Sequence, residues 1–167
     1  LQNKTHPFIP YFREPISKED GSAKGAALFE YLNARRSVRS FSDKAVPRAM
    51  IEHAIRCAST APSGAHRQPW RFVAVSDPEI KREIRLAAEA EERRNYDSRM
   101  SEEWKDALAP LGTDANKGYL EVVPWIVVVF AESYGLHPDG SKQKNYYVKE
   151  SVGIACGLFI VALHEMG

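Results

Sequence analysis

A basic cluster in the first quarter of the chain is the first group of residues that could do chemistry. It reads Arg35-Arg36-Ser37-Val38-Arg39, so three guanidiniums and a hydroxyl lie within five residues. Guanidiniums bind phosphate bidentately and neutralise its charge, so the cluster could hold a phosphate group. A solvated basic turn explains the same residues, and composition alone favours that interpretation because no glycine-rich loop accompanies them.

A loop of small residues is the second candidate. It reads Pro62-Ser63-Gly64-Ala65-His66. Small side chains let a backbone approach a planar ligand closely, and the N–H groups of such a turn can stabilise a developing oxyanion. An ordinary connection between a helix and a strand accounts for this sequence equally well. His66 could be an acid or a contact, but a surface histidine is the simpler interpretation.

A highly charged segment over residues 89–105 is the third candidate. Glu92 and Tyr96 are four residues apart, so they share one face of a helix. Lys117 follows in a short segment that is unremarkable by itself. A solvent-facing helix explains most of these charges, and spacing alone does not decide whether Glu92, Tyr96 and Lys117 bind a ligand.

Other reaction classes find no support in the pattern of side chains. The sequence has no Ser-His-Asp order, Walker loop, HExxH motif or paired cysteine ligands, so we expect no metal site. Cys57 and Cys156 lie in apolar, helical-looking stretches and are predicted to be buried free thiols. Any redox chemistry would therefore belong to a cofactor.

Composition sets outer limits on function. The chain has 167 residues, 44% of them apolar and 27% charged, with a net charge of +1. These values are typical of a single globular domain and give no global field that would favour nucleic acid or an acidic membrane. The longest apolar run, residues 154–163, is too short to span a bilayer, and residues 1–4 lack the apolar core of a signal peptide.

The elements that must position these candidates follow from hydrophobic periodicity. Residues 1–22 are predicted to form an N-terminal arm and residues 23–167 a single folded domain. The predicted helices cover 23–34, a segment whose first helical position is Pro47, 80–90 with a charged continuation, and 146–166. A stripe along that continuation repeats every four residues: Tyr96, Met100, Trp104 and Leu108. The predicted strands cover 70–75 and 125–131, the second buried on both faces, and residues 134–141 are predicted to be a loop.

Helices alternating with at least two strands predict an α+β or α/β layered domain. Gly167 comes directly after a largely apolar helix, where a helix cap and another strand normally follow. We therefore expect the chain to be incomplete at its C-terminal end. Near-complete apolarity of the last helix predicts burial in a core or at a subunit interface.

Two of these segments together resemble the nitroreductase superfamily. Arg35 to Phe41 followed by Val46-Pro47 is similar to the start of that fold, and Pro62-Ser63 with Gln68-Pro69-Trp70-Arg71-Phe72 is similar to its next conserved stretch. The resemblance implies an α+β fold with a central mixed sheet flanked by helices, assembled as an intertwined homodimer. It also implies FMN as cofactor.

A narrower resemblance is to the iodotyrosine deiodinase family. It rests on the loop from Ala61 to His66, the acidic helix leading into Asn95-Tyr96, Lys117-x-Tyr119-Leu120, and the segment from Asn145 to Leu158. The resemblance covers about residues 28–167. Glu92, Tyr96 and Lys117 are the residues that separate deiodinases from general nitroreductases.

The resemblance also implies a role for each candidate residue. Cofactor-binding residues would be Arg35, Arg36, Ser37, Val38 and Arg39 around the FMN phosphate, with Pro62, Ser63 and Gly64 along the isoalloxazine. The Ala65 N–H would be the catalytic group, donating to the phenolate oxygen of a halotyrosine. Glu92 would bind the substrate ammonium and Tyr96 and Lys117 its carboxylate, on a lid over residues 89–118. A threonine and an arginine that complete the family's FMN site have no counterpart in this sequence.

The implied activity is FMN-dependent reductive dehalogenation of halotyrosines, with iodotyrosine giving tyrosine and iodide. Two alternatives stay open: an NAD(P)H-dependent nitro- or quinone reductase, and a flavin- or halotyrosine-binding module without turnover. We expect a cytoplasmic protein if the source is bacterial, and otherwise the soluble domain of a membrane-anchored enzyme. Partners are expected to be the small substrate and a second copy of the chain, with no nucleic acid.

Overall fold

The computed structural model describes residues 10–167 of the chain. By internal contacts the chain divides into two compact units, Leu1–Ser37 and Val38–Gly167. In the first unit, helix α1 runs over Lys18–Asn33. The Ser17 hydroxyl accepts a hydrogen bond from the Asp20 N–H and so caps the N-terminus of this helix. The helix begins at Lys18, inside the segment predicted to be an arm; residues 1–9 of that arm lie outside the described residues.

The second unit holds the other helices and strands. The helices are α2 Arg48–Ala58, α3 Pro78–Arg94, α4 Glu102–Leu108, α5 Tyr119–Val122 and α6 Val148–Met166. The strands are β1 Trp70–Val75, β2 Ile126–Ala131, β3 Tyr134–Leu136 and β4 Lys142–Lys144. Single turns of tighter or wider helix cover Gly64–His66, Asn95–Arg99 and Ala109–Leu111. The α+β class predicted from the sequence is confirmed.

The sheets of the described residues are two antiparallel pairs, β1 with β2 and β3 with β4. In the larger pair Phe72 lies opposite Val129, and its ring is 5.6 Å from that of Phe159 in α6. On the opposite face of the pair, Val73 and Phe130 are exposed, while Ile126 and Val128 are half-buried. The prediction that β2 is buried on both faces is therefore wrong for residues 10–167, because α6 covers only one face.

The core lies where α2 packs against α6. The buried residues there are small or aliphatic: Ile51, Ala54 and Ala58 of α2 with Ala155 and Ala162 of α6. Small side chains let the two helices approach closely. The other side of α6 exposes large apolar residues, with Ile154 46% and Ile160 47% exposed.

A buried lysine joins α3 to the segment that leads into β2. Lys81 is only 7% exposed, and its ammonium donates to the carbonyl oxygens of Glu121 (3.1 Å) and Val123 (2.7 Å). These carbonyls lie at the C-terminal end of α5, where helical partners run out. Lys81 therefore fixes the short helix that follows Lys117.

Several local predictions need correction. Cys57 is exposed rather than buried, because it lies on the outer side of α2. The predicted loop over 134–141 contains β3 and the turn into β4. Pro47 precedes the first helical residue instead of occupying it. The predicted apolar stripe is not continuous, since Met100 is extended between two helical segments.

Candidate functional site

The basic cluster follows the C-terminus of α1. The Arg36 guanidinium donates to the carbonyl oxygens of Asn33 and, at 2.9 Å, of Arg35. Its charge therefore caps carbonyls left open at the end of this helix. Arg35, Arg36 and Ser37 belong to the first compact unit, and Val38 and Arg39 belong to the second. Phosphate binding by the cluster stays a prediction.

The small-residue loop forms a tight turn after α2. Ala65 and His66 have φ angles of 50° and 53°, and Gln68 has 49°. Residues other than glycine rarely adopt this left-handed backbone conformation, which is strained. Strained turns of this kind are typical of functional sites. The Ser63 hydroxyl accepts from the Gln68 N–H at 2.8 Å and holds the far end of the turn.

The Ala65 N–H lies outside the backbone hydrogen bonds that close this turn. The two bonds that close the turn are donated by the His66 N–H to the Ser63 carbonyl and by the Arg67 N–H to the Gly64 carbonyl. The Ala65 N–H takes part in neither. A donor held in this way by a strained backbone can stabilise negative charge on a ligand oxygen.

The N-terminal end of α6 packs closely against the turn at Gly64. A Cβ at Gly64 would lie 2.7 Å from the Tyr146 carbonyl oxygen and 3.0 Å from the ring of Tyr147. Ser151, which is buried, donates to the Tyr147 carbonyl at 2.6 Å and accepts a longer bond from the Gly64 N–H at 3.4 Å. Only glycine fits this position, so the turn is seated on α6.

The structure brings Glu92 and Lys117 together. The Lys117 ammonium lies 3.1 Å from a carboxylate oxygen of Glu92, and their side chains are 18% and 30% exposed. The same ammonium donates to the Asp114 carbonyl oxygen at 2.7 Å. A half-buried ion pair interacts more strongly than a surface pair because less water screens it.

Tyr96 lies in the wide helical turn Asn95–Arg99 that ends α3. Its hydroxyl contacts the Thr113 carbonyl oxygen at 3.0 Å and the Thr113 hydroxyl at 3.3 Å. Wide turns of this type are frequent at functional sites. Thr113 and Lys117 both line a cavity of about 270 Å³, whose wall also includes Arg39. Tyr96 is thus tied to the loop that carries Lys117.

These residues form two separate groups. Within residues 10–167, no hydrogen bond or ion pair links the turn at Pro62–Ala65 to Glu92, Tyr96 or Lys117. Glu92, Tyr96 and Lys117, which were predicted to bind substrate, thus lie within one segment of the chain, and their role stays a prediction. The lid over residues 89–118 stays a prediction.

Glu89 is a residue of this segment that sequence reasoning did not single out. Glu89 is buried, and its carboxylate accepts the Lys117 backbone N–H at 2.9 Å and pairs with Arg85 and Arg93. The bond from the Lys117 N–H and the two arginines lower the pKa of Glu89, while burial opposes that shift. Arginines four residues before and after Glu89 were the signal in the sequence.

Two kinds of feature are absent from the described part of the chain: a membrane-spanning helix and a cluster of metal ligands. No helix between residues 10 and 167 combines the length and apolarity needed to cross a bilayer. No group of three or more histidine, cysteine or acidic side chains there could hold a metal ion.

Comparison with known proteins places this architecture in a family. Residues 32–167 match the nitroreductase family. The chain therefore belongs to the nitroreductase family.

Similar proteins within this family include several iodotyrosine deiodinases. The chain is 51% identical to an iodotyrosine deiodinase of Haliscomenobacter hydrossis over 96% of its own length and 72% of that protein. It is 40% identical to the iodotyrosine deiodinase of Nematostella vectensis, covering 97% of the chain but only 61% of that relative. A crystal structure of an iodotyrosine deiodinase bound to FMN and 3-iodo-L-tyrosine superposes with a TM-score of 0.73 at 30% identity, over 84% of this chain and 70% of that one.

Proposed function

We propose that this protein catalyses FMN-dependent reductive dehalogenation of halotyrosines. In iodotyrosine the carbon–iodine bond breaks, iodide leaves with the bonding electrons, and a carbon–hydrogen bond forms. The reaction consumes two electrons and one proton, and the products are tyrosine and iodide. FMN in its reduced form would supply the two electrons.

The ion pair of Glu92 with Lys117 is the observation that carries this proposal. A free amino acid has an ammonium and a carboxylate, so it can replace both halves of the pair at once. The substrate ammonium would bind Glu92, and the substrate carboxylate would bind Lys117 and the Tyr96 hydroxyl. Exchanging one internal ion pair for two with substrate favours a zwitterion over a neutral aromatic.

The predicted FMN residues fit the chemistry of that cofactor. The guanidiniums of Arg35, Arg36 and Arg39 with the Ser37 hydroxyl are suited to a phosphate dianion, and Val38 lies among them. The small side chains of Pro62, Ser63 and Gly64 suit the face of a planar ring. The deiodinase structure that this fold resembles contains FMN, which supports the same assignment.

Among the described residues, only Ala65 is proposed to contact the reacting part of the substrate. Its N–H would donate a hydrogen bond to the phenolate oxygen of the substrate. This bond would stabilise negative charge on that oxygen during loss of iodide. Anchoring the zwitterion through Glu92 and Lys117 would hold the ring in one orientation relative to this donor. The hydrogen bond from Ala65 requires that its left-handed backbone conformation persists in the complex.

The exposed apolar side of α6 supports the proposed homodimer. Ile154, Ile160 and Leu163 are 37–47% exposed in a single chain. Exposed large apolar side chains on one helix can form an interaction surface, and a second copy of the chain is the partner that we propose. Sedimentation of the holoprotein should then give twice the mass of one chain, whereas a monomer would contradict the proposal.

The test is iodide release under steady-state conditions. Purified holoprotein with dithionite and 3-iodotyrosine should release iodide, and 2-iodophenol, which lacks the zwitterion, should react far more slowly. Rapid NAD(P)H-dependent reduction of a nitroaromatic without iodide release would instead favour the nitroreductase alternative. Tight binding of FMN and iodotyrosine without any turnover would favour the binding module.

A further inference from the structure

The buried carboxylate of Glu89 holds the main chain at Lys117. It accepts the Lys117 N–H at 2.9 Å across 28 residues of sequence. Its other oxygen contacts Arg93 at 3.2 Å, and Arg85 lies 3.3 Å and 3.4 Å from the two oxygens. A carboxylate that is 5% exposed and paired with two guanidiniums is fixed in place.

Helix α3 therefore holds Lys117 at two points. Glu89 binds its backbone, and Glu92, one turn further along, binds its ammonium at 3.1 Å. The two carboxylates differ in exposure, since the Glu92 side chain is 30% exposed and the Glu89 side chain 6%. The outer contact can exchange with a ligand, whereas the inner contact is shielded from water.

Arg85 extends this inner contact to the other end of the loop. It donates to the Glu121 carboxylate at 2.5 Å as well as to Glu89. Glu121 lies in α5, the short helix that begins at Tyr119, shortly after Lys117. Glu89 thus holds the Lys117 main chain to α3, and Arg85 holds the side chain of Glu121 to the same helix.

We infer that Glu89 is a positioning residue that sets the specificity of the site for zwitterionic substrates. It keeps the Lys117 backbone in place when substrate takes Glu92 away from the Lys117 ammonium. The cation then stays where a substrate carboxylate needs it. This inference rests on the proposed function and adds to it a residue that makes no contact with substrate.

The kinetic test compares Glu89→Ala and Glu89→Gln in the holoenzyme. Glu89→Ala should raise KM for 3-iodotyrosine about tenfold or more while kcat changes little, because a hydrogen bond to a charged group is lost. Glu89→Gln keeps an oxygen that accepts the Lys117 N–H, so it should restore most of the wild-type KM. Turnover of a nitroaromatic should be unchanged in both. An unchanged KM in Glu89→Ala, or an equal loss for both substrates, would overturn the inference.

Glu91 provides a matched control on the same helix. It also pairs with two arginines, Arg94 and Arg99, but it has no bond to Lys117. Glu91→Ala should leave KM for 3-iodotyrosine within about twofold of wild type, as is usual for exposed pairs. In a Lys117→Ala background, Glu89→Ala should have almost no further effect on KM. Additive effects would show that Glu89 acts without Lys117.

Amide hydrogen exchange separates this inference from the proposed function. The Lys117 amide should exchange faster in Glu89→Ala than in wild type or in Glu91→Ala, whatever the substrate is. If wild-type protein binds no 3-iodotyrosine, the proposed function fails, and the exchange rate still decides whether Glu89 holds Lys117. Equal exchange rates in all three proteins would contradict the positioning role directly.

Discussion

The Lys117 ammonium lies 3.1 Å from the Glu92 carboxylate, and both side chains are partly shielded from water. Two residues 25 positions apart in the sequence thus present the opposite charges that a zwitterionic ligand requires. Because each charge neutralises the other, the pair can be stable without ligand and still be exchanged for substrate groups.

Removing either charge should abolish selectivity for halotyrosines. We expect Glu92→Gln and Lys117→Ala each to lower kcat/KM for 3-iodotyrosine by about tenfold to a hundredfold, since each loses one charged contact with substrate. Reduction of a small nitroaromatic should hardly change. Glu91→Gln, which makes the same charge change one residue away, is the control in steady-state assays. Equal losses for both substrates would show that the pair is structural.

Adding one methyl group at Gly64 should damage the small-residue turn. The new Cβ would lie 2.7 Å from the Tyr146 carbonyl oxygen, which is backbone and cannot move away cheaply. We expect Gly64→Ala to lower the free energy of unfolding by about 1–3 kcal/mol, as overpacking does. Gly135→Ala, where no atom lies within 4 Å, should change stability little. Urea denaturation measures both, and equal stabilities would contradict the close packing.

Replacing Lys81 should loosen the segment after Lys117. Lys81→Met leaves the carbonyls of Glu121 and Val123 without their donor, so we expect a loss of about 1–3 kcal/mol in thermal or chemical unfolding. Lys149→Met, at an exposed position of α6, is the matched control. A Lys81→Met protein as stable as the control would show that water replaces the ammonium at no cost.

Acid should weaken the contact between Glu89 and Lys117. The folded protein lowers the pKa of Glu89 below its ordinary value of 4.5, chiefly through the bond from the Lys117 N–H. A lowered carboxyl pKa contributes stability that is present above 4.5 and is lost as the pH falls through the folded-state value. The Lys117 amide resonance should therefore titrate below pH 4.5, in step with a fall in stability.

Glu89→Gln is the variant that checks this titration, because its amide has no proton to gain in that range. It should remove the shift of the Lys117 amide, whereas Glu83→Gln, at an exposed position of α3, should keep it. A Lys117 amide that still titrates in Glu89→Gln would assign the effect to another carboxylate of the segment.

The sequence predicted the elements with strong local signals. β1 was predicted over 70–75 and is found at Trp70–Val75, and β2 differs from its prediction only in starting at Ile126 rather than Trp125. β-branched and aromatic runs bounded by turns carry that information locally. The burial of β2 was predicted wrongly, because burial depends on which elements cover each face.

The site was predicted less completely, and for physical reasons. Motif resemblance predicted Glu92, Tyr96 and Lys117 but not how they are arranged in space. Glu89 could not be predicted, because its contact with Lys117 spans 28 residues of sequence. The left-handed backbone at Ala65 and His66 could not be predicted either, because positive φ is uncommon for residues other than glycine. The neighbouring Gly64 packs against the start of α6, and sequence spacing does not record that contact either.

A single-turnover experiment separates dehalogenation from the alternative functions. Holoprotein reduced with one equivalent of dithionite per FMN is mixed anaerobically with excess 3-iodotyrosine, and flavin absorbance, iodide and tyrosine are followed together. Dehalogenation predicts that FMN is reoxidised while one iodide and one tyrosine form for each FMN, as the balance of two electrons requires. Reduced flavin that persists with no iodide released would contradict the account.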